Sequence, residues 1–222
     1  MGARLRVQPS ASRTEREARK FETVPVDAGF LKRLAAGWLL ALVVASMAYK
    51  TWVAPQMPVW VPATAWYLQA LLATITHMAG HVYWKSPLLN WWTVAHLGHH
   101  TADYPPSKFL SAAYEPAKED NSKAYYLSMV MTPLIVLALS ADRSWATVAA
   151  AVVPGTLEMG LADVLHMAFH QEGHWLERFD WFIKLRTLHY YHHTRNMKTN
   201  YAIADFWLDG LMGVVQLSPV PM

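Results

Sequence analysis

The sequence predicts an all-α integral membrane fold. Three observations carry this: four long apolar stretches, very short connections within each pair of them, and a lopsided distribution of basic residues. A chain of 222 residues is one domain by length. Yet 54% of it is hydrophobic, 13% aromatic and only 16% charged, and 11 residues are Trp. A soluble core of this size does not need so much apolar surface.

A helix needs about 20 apolar residues to cross a bilayer. The first stretch, Leu34 to Val53, is marred only by Lys50, which can snorkel from its end. Val59 to Gly80 has no formal charge, and Ala124 to Ser140 is shorter and carries Pro133. Trp145 to Leu165 is the fourth, with Glu158 and Asp163 inside it. The connections Ala54–Pro58 and Ala141–Ser144 are too short for anything but tight turns, so the reading is four transmembrane helices in two hairpins. Residues 1–33 then form a basic tail and residues 34–222 a single membrane domain.

Charge orients the hairpins. Seventeen of the 19 Lys and Arg fall in residues 1–33, 82–123 and 166–222, leaving only Lys50 and Arg143 on the other side. By the positive-inside rule the basic side is the cytoplasm. The tail holds Arg4, Arg6, Arg13, Arg16, Arg19 and Lys20 before any apolar run, which is not the pattern of a secretory signal. A formal charge of +3 is too small to suggest nucleic acid as a partner. With no cysteine there are no disulfides, thiolate metal sites, iron–sulfur clusters or cysteine nucleophile. Aromatic pairs such as Tyr83-Trp84, Trp91-Trp92 and Tyr125-Tyr126 suit helices lying at headgroup level.

The excess is in histidine: 11 residues, ten of them in four groups, all at or beyond the cytoplasmic ends of the spans. His77 and His81 stand four apart, as do His166 and His170, so each pair shares a helical face. His96, His99 and His100 stand at i, i+3 and i+4, and His189, His192 and His193 repeat that spacing. Metal ions with ligand nitrogens about 2 Å away need imidazoles converging in this way. So many titratable rings at a bilayer edge are costly unless they are liganded or paired. Ten imidazoles exceed the coordination shell of one ion, which predicts a cytoplasmic helical cap holding two. Imidazole accepts iron, zinc, copper and nickel alike, and a lipid-facing setting favours iron, for redox chemistry on a hydrophobic substrate. His174, after the helix-ending Gly173, is a candidate further ligand. Asp163, one turn before His166, is placed to fix the tautomer of a ligand imidazole. Glu158, a turn deeper, is an intramembrane carboxylate and a functional candidate on that ground.

The chain resembles the fatty acid hydroxylase and sterol desaturase superfamily, four-helix membrane proteins with histidine clusters spaced HxxxH, HxxHH, HxxxH and HxxHH. The resemblance runs from His77 to Gly213. Beyond the clusters it includes Asp163, the loop Tyr104-Pro105-Pro106 with Phe109, Asn200-Tyr201, and Asp209-Gly210-Leu211-Met212-Gly213. The chain departs at Ala202, where many members have Gly, at Leu208, where many have Trp, and at Leu188, where the fatty acid 2-hydroxylases have a further His.

The resemblance implies two iron ions as cofactors, zinc being able to replace them on purification, and dioxygen as co-substrate. It implies oxidation of a C–H bond in a fatty-acyl or sterol-like lipid, with hydroxylation as the expected outcome and desaturation on the same scaffold as the alternative. No haem-binding domain is attached, so electrons are expected from a separate donor, cytochrome b5-like or a ferredoxin-type reductase chain. A remote alternative is a metal transporter or sensor. Transporters usually place ion sites near the bilayer midplane on broken helices, whereas these histidines gather at the ends.

Overall fold

The computed structural model describes Phe21, residues 24–114 and residues 122–217. The basic segment 1–20, with six of the tail's Lys and Arg, lies outside the described residues. So do the side chains of Tyr125 and Tyr126.

Every regular element among the described residues is helical, apart from one isolated bridge between Ser111 and Gln171. Helix α1 (Ala28–Trp52) starts where Asp27 caps it, the carboxylate accepting from Phe30 N at 2.6 Å. It therefore begins before the apolar run at Leu34 and takes Lys32 and Arg33 into its first turns. α2 (Trp60–Gly80) and α3 (Pro87–Gly98, with Pro at its first position) follow. α3 passes directly into a π turn (His99–Asp103) and then a short 3-10 turn (Pro106–Lys108). α4 (Ser122–Leu139) carries Pro133 within it. α5 (Trp145–His170) is capped by Ser144, whose hydroxyl accepts from Thr147 N at 3.3 Å. A 3-10 turn (Trp175–Arg178), α6 (Asp180–Thr194) and the short α7 (Trp207–Leu211) are the last elements among the described residues.

α2 is the central helix, packing most extensively on α5 and also on α4 and α1. Small residues make the close approach to α5 feasible: Ala65 is buried with Ala150 and Ala151, and a Cβ added at Gly155 would already touch Ala65 O at 3.6 Å. Gln69, fully buried, ties α2 to α4. Its amide donates to Ser128 Oγ at 2.7 Å and accepts from Thr132 Oγ1 at 2.9 Å.

A second core fastens α6 and the segment 202–206 onto the ends of α1 and α5, through Phe30, Leu31, Leu165, Phe169, Phe182, Leu185, Leu188 and Phe206. Arg186, buried beside that core, closes the end of α5. It donates to Ala168 O at 2.6 Å and Gln171 O at 3.0 Å, and pairs with Glu177 at 2.7 Å. Those carbonyls would otherwise lack partners at the helix end.

α1 and α5 are long and apolar enough to cross a membrane, while the apolar part of α4 is Leu127–Leu139. Large apolar side chains point out of the bundle on α1 (Leu40, Val44, Met47), α4 (Leu127, Val130, Leu134) and α5 (Val153, Leu157, Val164). The two basic residues set apart by the charge count both close hairpin turns. Lys50 Nζ donates to Pro55 O at 2.8 Å and Met57 O at 2.7 Å, and Arg143 donates to the carbonyls of Leu137 and Ser140.

Candidate metal centre

Ten of the 11 histidines converge on two adjoining groups at one end of the bundle. The first holds His77, His81, His96, His100 and His192; the second holds His99, His166, His170, His189 and His193. In each group one nitrogen from every ring lies within 4.8 Å of the others. The grouping crosses the sequence order. Each group takes two pairs spaced i, i+4 and one ligand from a triplet that otherwise serves its neighbour: His192 for the first, His99 for the second. His99 begins the π turn, and its ring lies 4.8 Å from His166 and 4.9 Å from His170. His192 lies 4.8 Å from His77 and 4.7 Å from His100. The groups abut at His100 and His193, whose rings are 4.0 Å apart.

The donor set fits metal on three counts. Firstly, Nε2 atoms of the first group face one another in a pattern that hydrogen bonds cannot satisfy, His81 to His96 2.9 Å, His96 to His100 3.1 Å and His81 to His192 3.1 Å, and in the second group His170 lies 3.1 Å from His189. A neutral ring nitrogen either donates its one proton or accepts at its one lone pair, yet His81 and His96 each face two others. Two nitrogens about 2.1 Å from one ion lie about 3.0 Å apart when the angle between them is a right angle, against about 3.4 Å in a tetrahedron. The observed separations of 2.9–3.1 Å are close to what nitrogens sharing one ion would show.

Secondly, the ring orientations are set from behind. Nδ1 of His77 donates to Tyr201 O at 2.5 Å and that of His192 to Thr199 O at 2.7 Å. In the second group His170 Nδ1 donates to Phe109 O at 3.0 Å and His193 Nδ1 to Tyr104 O at 3.2 Å. A carbonyl can only accept, so these four rings carry their proton on Nδ1 and turn a lone pair inward at Nε2. Nε2 of His77, His99 and His193 is buried without a hydrogen-bond partner, which is rare unless an ion satisfies it.

Thirdly, burial favours the neutral form of the rings. Burial pushes His81 down to about 4. It pushes His96, His99, His100, His189, His192 and His193 well below the ordinary imidazole value, and neighbouring imidazoles add to the effect in each. Metal binding requires the neutral form.

Two loops supply the orienting carbonyls. The first group uses residues 199–201, held by Asp209, whose carboxylate accepts from Tyr201 N and Ala202 N, each at 3.0 Å. Asn200 takes φ +55° there and donates to Leu188 O at 3.1 Å. Burial pushes the Asp209 carboxyl up to about 7, against those two N–H donors. The second group uses residues 104–109. Gly80 admits the first group's His96: a Cβ at that position would meet His96 Cγ at 2.9 Å.

The other sequence candidates are placed as follows. His174 joins neither group; its Nδ1 accepts from Leu176 N at 3.3 Å, capping the 3-10 turn. Gly173, at φ +70°, turns the chain away before it. Asp163 is exposed, and its charge acts on Tyr114. Glu158 is buried, interacts with Asp205, and leaves Oε2 without a partner. Asp205 in turn accepts from the indoles of Trp66 and Trp207, each at 3.3 Å.

Comparison with known family models, with curated proteins and with solved structures finds no match to this chain. Function therefore has to be argued from the site itself. The orienting carbonyls and Arg186 were not visible to sequence reasoning. A backbone acceptor has no residue signature, and only the glycine before His81 marks the tight spot at His96.

Proposed function

We propose that the chain is a multi-pass membrane oxygenase that uses two iron ions and dioxygen to hydroxylate a C–H bond of a fatty-acyl or sterol-like lipid. The observation that carries this reading is the pair of adjoining groups, each of five buried or half-buried imidazoles whose nitrogens lie within 4.8 Å of one another, with facing Nε2 atoms 2.9–3.1 Å apart. A catalytic ion needs a coordination position for its substrate, and five protein ligands would leave room for one. Separations of about 3.0 Å would also suit iron better than tetrahedral zinc, although imidazole binds both.

Bound there, iron supplies the one-electron chemistry needed to use dioxygen against an unactivated C–H bond. The chain's own residues do the rest. The carbonyls of Thr199, Tyr201, Tyr104 and Phe109 hold four imidazoles in one tautomer, so the lone pairs stay aimed inward. Eight of the ten ligands are buried and the other two, His81 and His166, are half-buried, which keeps bulk water from the open positions. Lipid would enter laterally along the apolar faces of the bundle, and electrons would come from a separate cytochrome b5-like or ferredoxin-type donor.

In the same reading α1, α2, α4 and α5 span the membrane, with the histidines at the cytoplasmic end. Exposed aromatic residues lie at both ends of the bundle, as in a membrane-spanning protein: Trp52, Trp60 and Trp145 at one, Tyr83, Trp91, Trp175 and Trp181 at the other. The apolar surface between them is what a bilayer would cover.

The test is metal content together with lipid composition. Protein from iron-replete cells should hold two ions per chain, and cells with the gene should contain lipids heavier by one oxygen than cells without it. Lipids lighter by two hydrogens would identify a desaturase instead. Unchanged lipids with altered cellular metal would refute the oxygenase in favour of a transporter or sensor.

A further inference from the structure

Tyr104 is fully buried and lies flat on a ligand of the second group, its ring 4.0 Å from that of His170 with 23° between the planes. It also lies 5.2 Å from His99 of the same group. On its other side it stacks on Tyr114, 5.8 Å away at 17°. Tyr114 is half-buried, and the carboxylates of Asp163, exposed, and Asp103, half-buried, act on its phenol. A stack thus runs from a metal ligand to the half-buried Tyr114, whose phenol feels two carboxylates. Packing alone asks only for a ring, and Phe109, 4.8 Å from His170, already provides one. The hydroxyls at 104 and 114 let both rings give up an electron together with a proton.

We propose that Tyr104 and Tyr114 form a redox relay, carrying electrons singly from the surface to the second histidine group. The relay rests on the reading of that group as a redox metal site. In each transfer Tyr104 passes towards His170 the electron it receives from Tyr114, so its own O–H is unchanged at the end. Tyr114 gives up one electron and its phenolic proton, and the proton goes to the carboxylate of Asp163 or Asp103. One electron from the external donor, with that proton returned, restores the phenol. The same stack would discharge an oxidised centre when no lipid is bound.

The relay answers a need that the fold creates. The second group's ligands are buried apart from the half-buried His166, so an external donor has little direct access to them. The first group has an aromatic neighbour in Tyr201, 5.4 Å from His192, but its ring stands at 61° to the ligand rather than stacked. Trp92, 5.6 Å from His96, leads to the exposed Trp91 at 6.1 Å, and this is the competing route.

The test uses full-length protein loaded with iron(II), without lipid, and treated with hydrogen peroxide. Each peroxide is reduced to water by two electrons: a first equivalent takes one from each of the two irons, and a second takes one from the centre and one from the relay. Electron paramagnetic resonance should show a tyrosyl radical that narrows when the protein is made with ring-deuterated tyrosine. Tyr104→Phe should abolish it, Tyr114→Phe should change its hyperfine pattern, and Tyr201→Phe should leave it unchanged, all at equal iron content. If Tyr104→Phe loses iron, Tyr114→Phe decides alone, because Tyr114 is removed from the ligands by the Tyr104 ring. A signal that persists unchanged in both Tyr104→Phe and Tyr114→Phe, one that depends on Tyr201, or a tryptophanyl signal lost in Trp92→Phe would overturn the relay. So would iron that is oxidised with no protein radical in the wild type. Failure to take up iron, or iron that peroxide does not oxidise, would instead remove the redox reading of the site, and the relay with it.

Discussion

Gly80→Ala perturbs one metal group through a single methyl. A Cβ there would lie 2.9 Å from His96 Cγ, 3.0 Å from Cδ2 and 3.1 Å from Cβ. Carbon atoms settle at about 3.5–4.0 Å, so the imidazole must retreat by roughly 0.5 Å or more. Metal–ligand distances tolerate only about 0.2 Å, so His96 leaves the coordination sphere or drags it out of shape. Disturbing a shell in this way costs about 10–100-fold in metal affinity. The overpacking also costs about 1–3 kcal/mol of stability, offset in part by the better helix propensity of alanine, worth up to about 1 kcal/mol. Metal titration with elemental analysis should show one ion weakened and the other bound as before. Gly98→Ala is the control, because a Cβ there meets nothing within 4 Å although His99 is adjacent. Wild-type binding of both ions by the Gly80→Ala protein, or equal damage from Gly98→Ala, would refute the reasoning.

Three further outcomes are expected. His192→Ala should weaken the same ion as His77→Ala, and His99→Ala the same ion as His166→Ala; double substitutions within a group should affect one ion and the pair His99→Ala, His192→Ala both, as read by metal titration. Ions should be released as pH falls from 6.5 towards 4: the folded His81 is held at about 4 while the unfolded ring takes its proton first, so stability present above 6.5 is lost on the way down, at most about 1.4 kcal/mol per pH unit for this one group. Acid titration followed by metal release and by helical circular dichroism checks this, and a rise in stability on acidification would contradict it. Finally, cysteines placed at the exposed Ser107 and Pro55 of this cysteine-free chain should react from opposite sides of the membrane, Ser107→Cys from the cytoplasm, with thiol labelling of intact and opened cells as the readout.

The helical class, the two tight connections and the ten converging histidines were legible because each rests on local spacing. Two imidazoles four apart share a helical face whatever surrounds them. The exchange of His99 and His192 between groups was not legible. It depends on a π turn starting at His99 and on how α6 meets α3, and both are decided by packing at a distance. α1 starts before the apolar run at Leu34, because the cap at Asp27 holds the helix while Lys32 and Arg33 sit in its first turns. α2 reads as apolar yet carries Gln69, Thr74 and His77, whose side chains turn inward to the bundle and the metal centre. His174 could not be placed from sequence because Gly173 hides the direction of the chain beyond it. Asp163 has the right spacing to His166 along the helix, but it is exposed and acts on Tyr114.

Oxidation of lipid by dioxygen at this site can be read out in a single reaction. Iron-loaded protein in lipid nanodiscs is given a reductase chain, fatty-acyl and sterol lipids, and isotopically labelled dioxygen, and the lipids are analysed by mass spectrometry. The expected product is a lipid alcohol carrying the label, formed only with iron and oxygen present and absent from His170→Ala protein. Product formed without oxygen, or no oxidised lipid from protein holding two iron ions that the donor reduces, would contradict it.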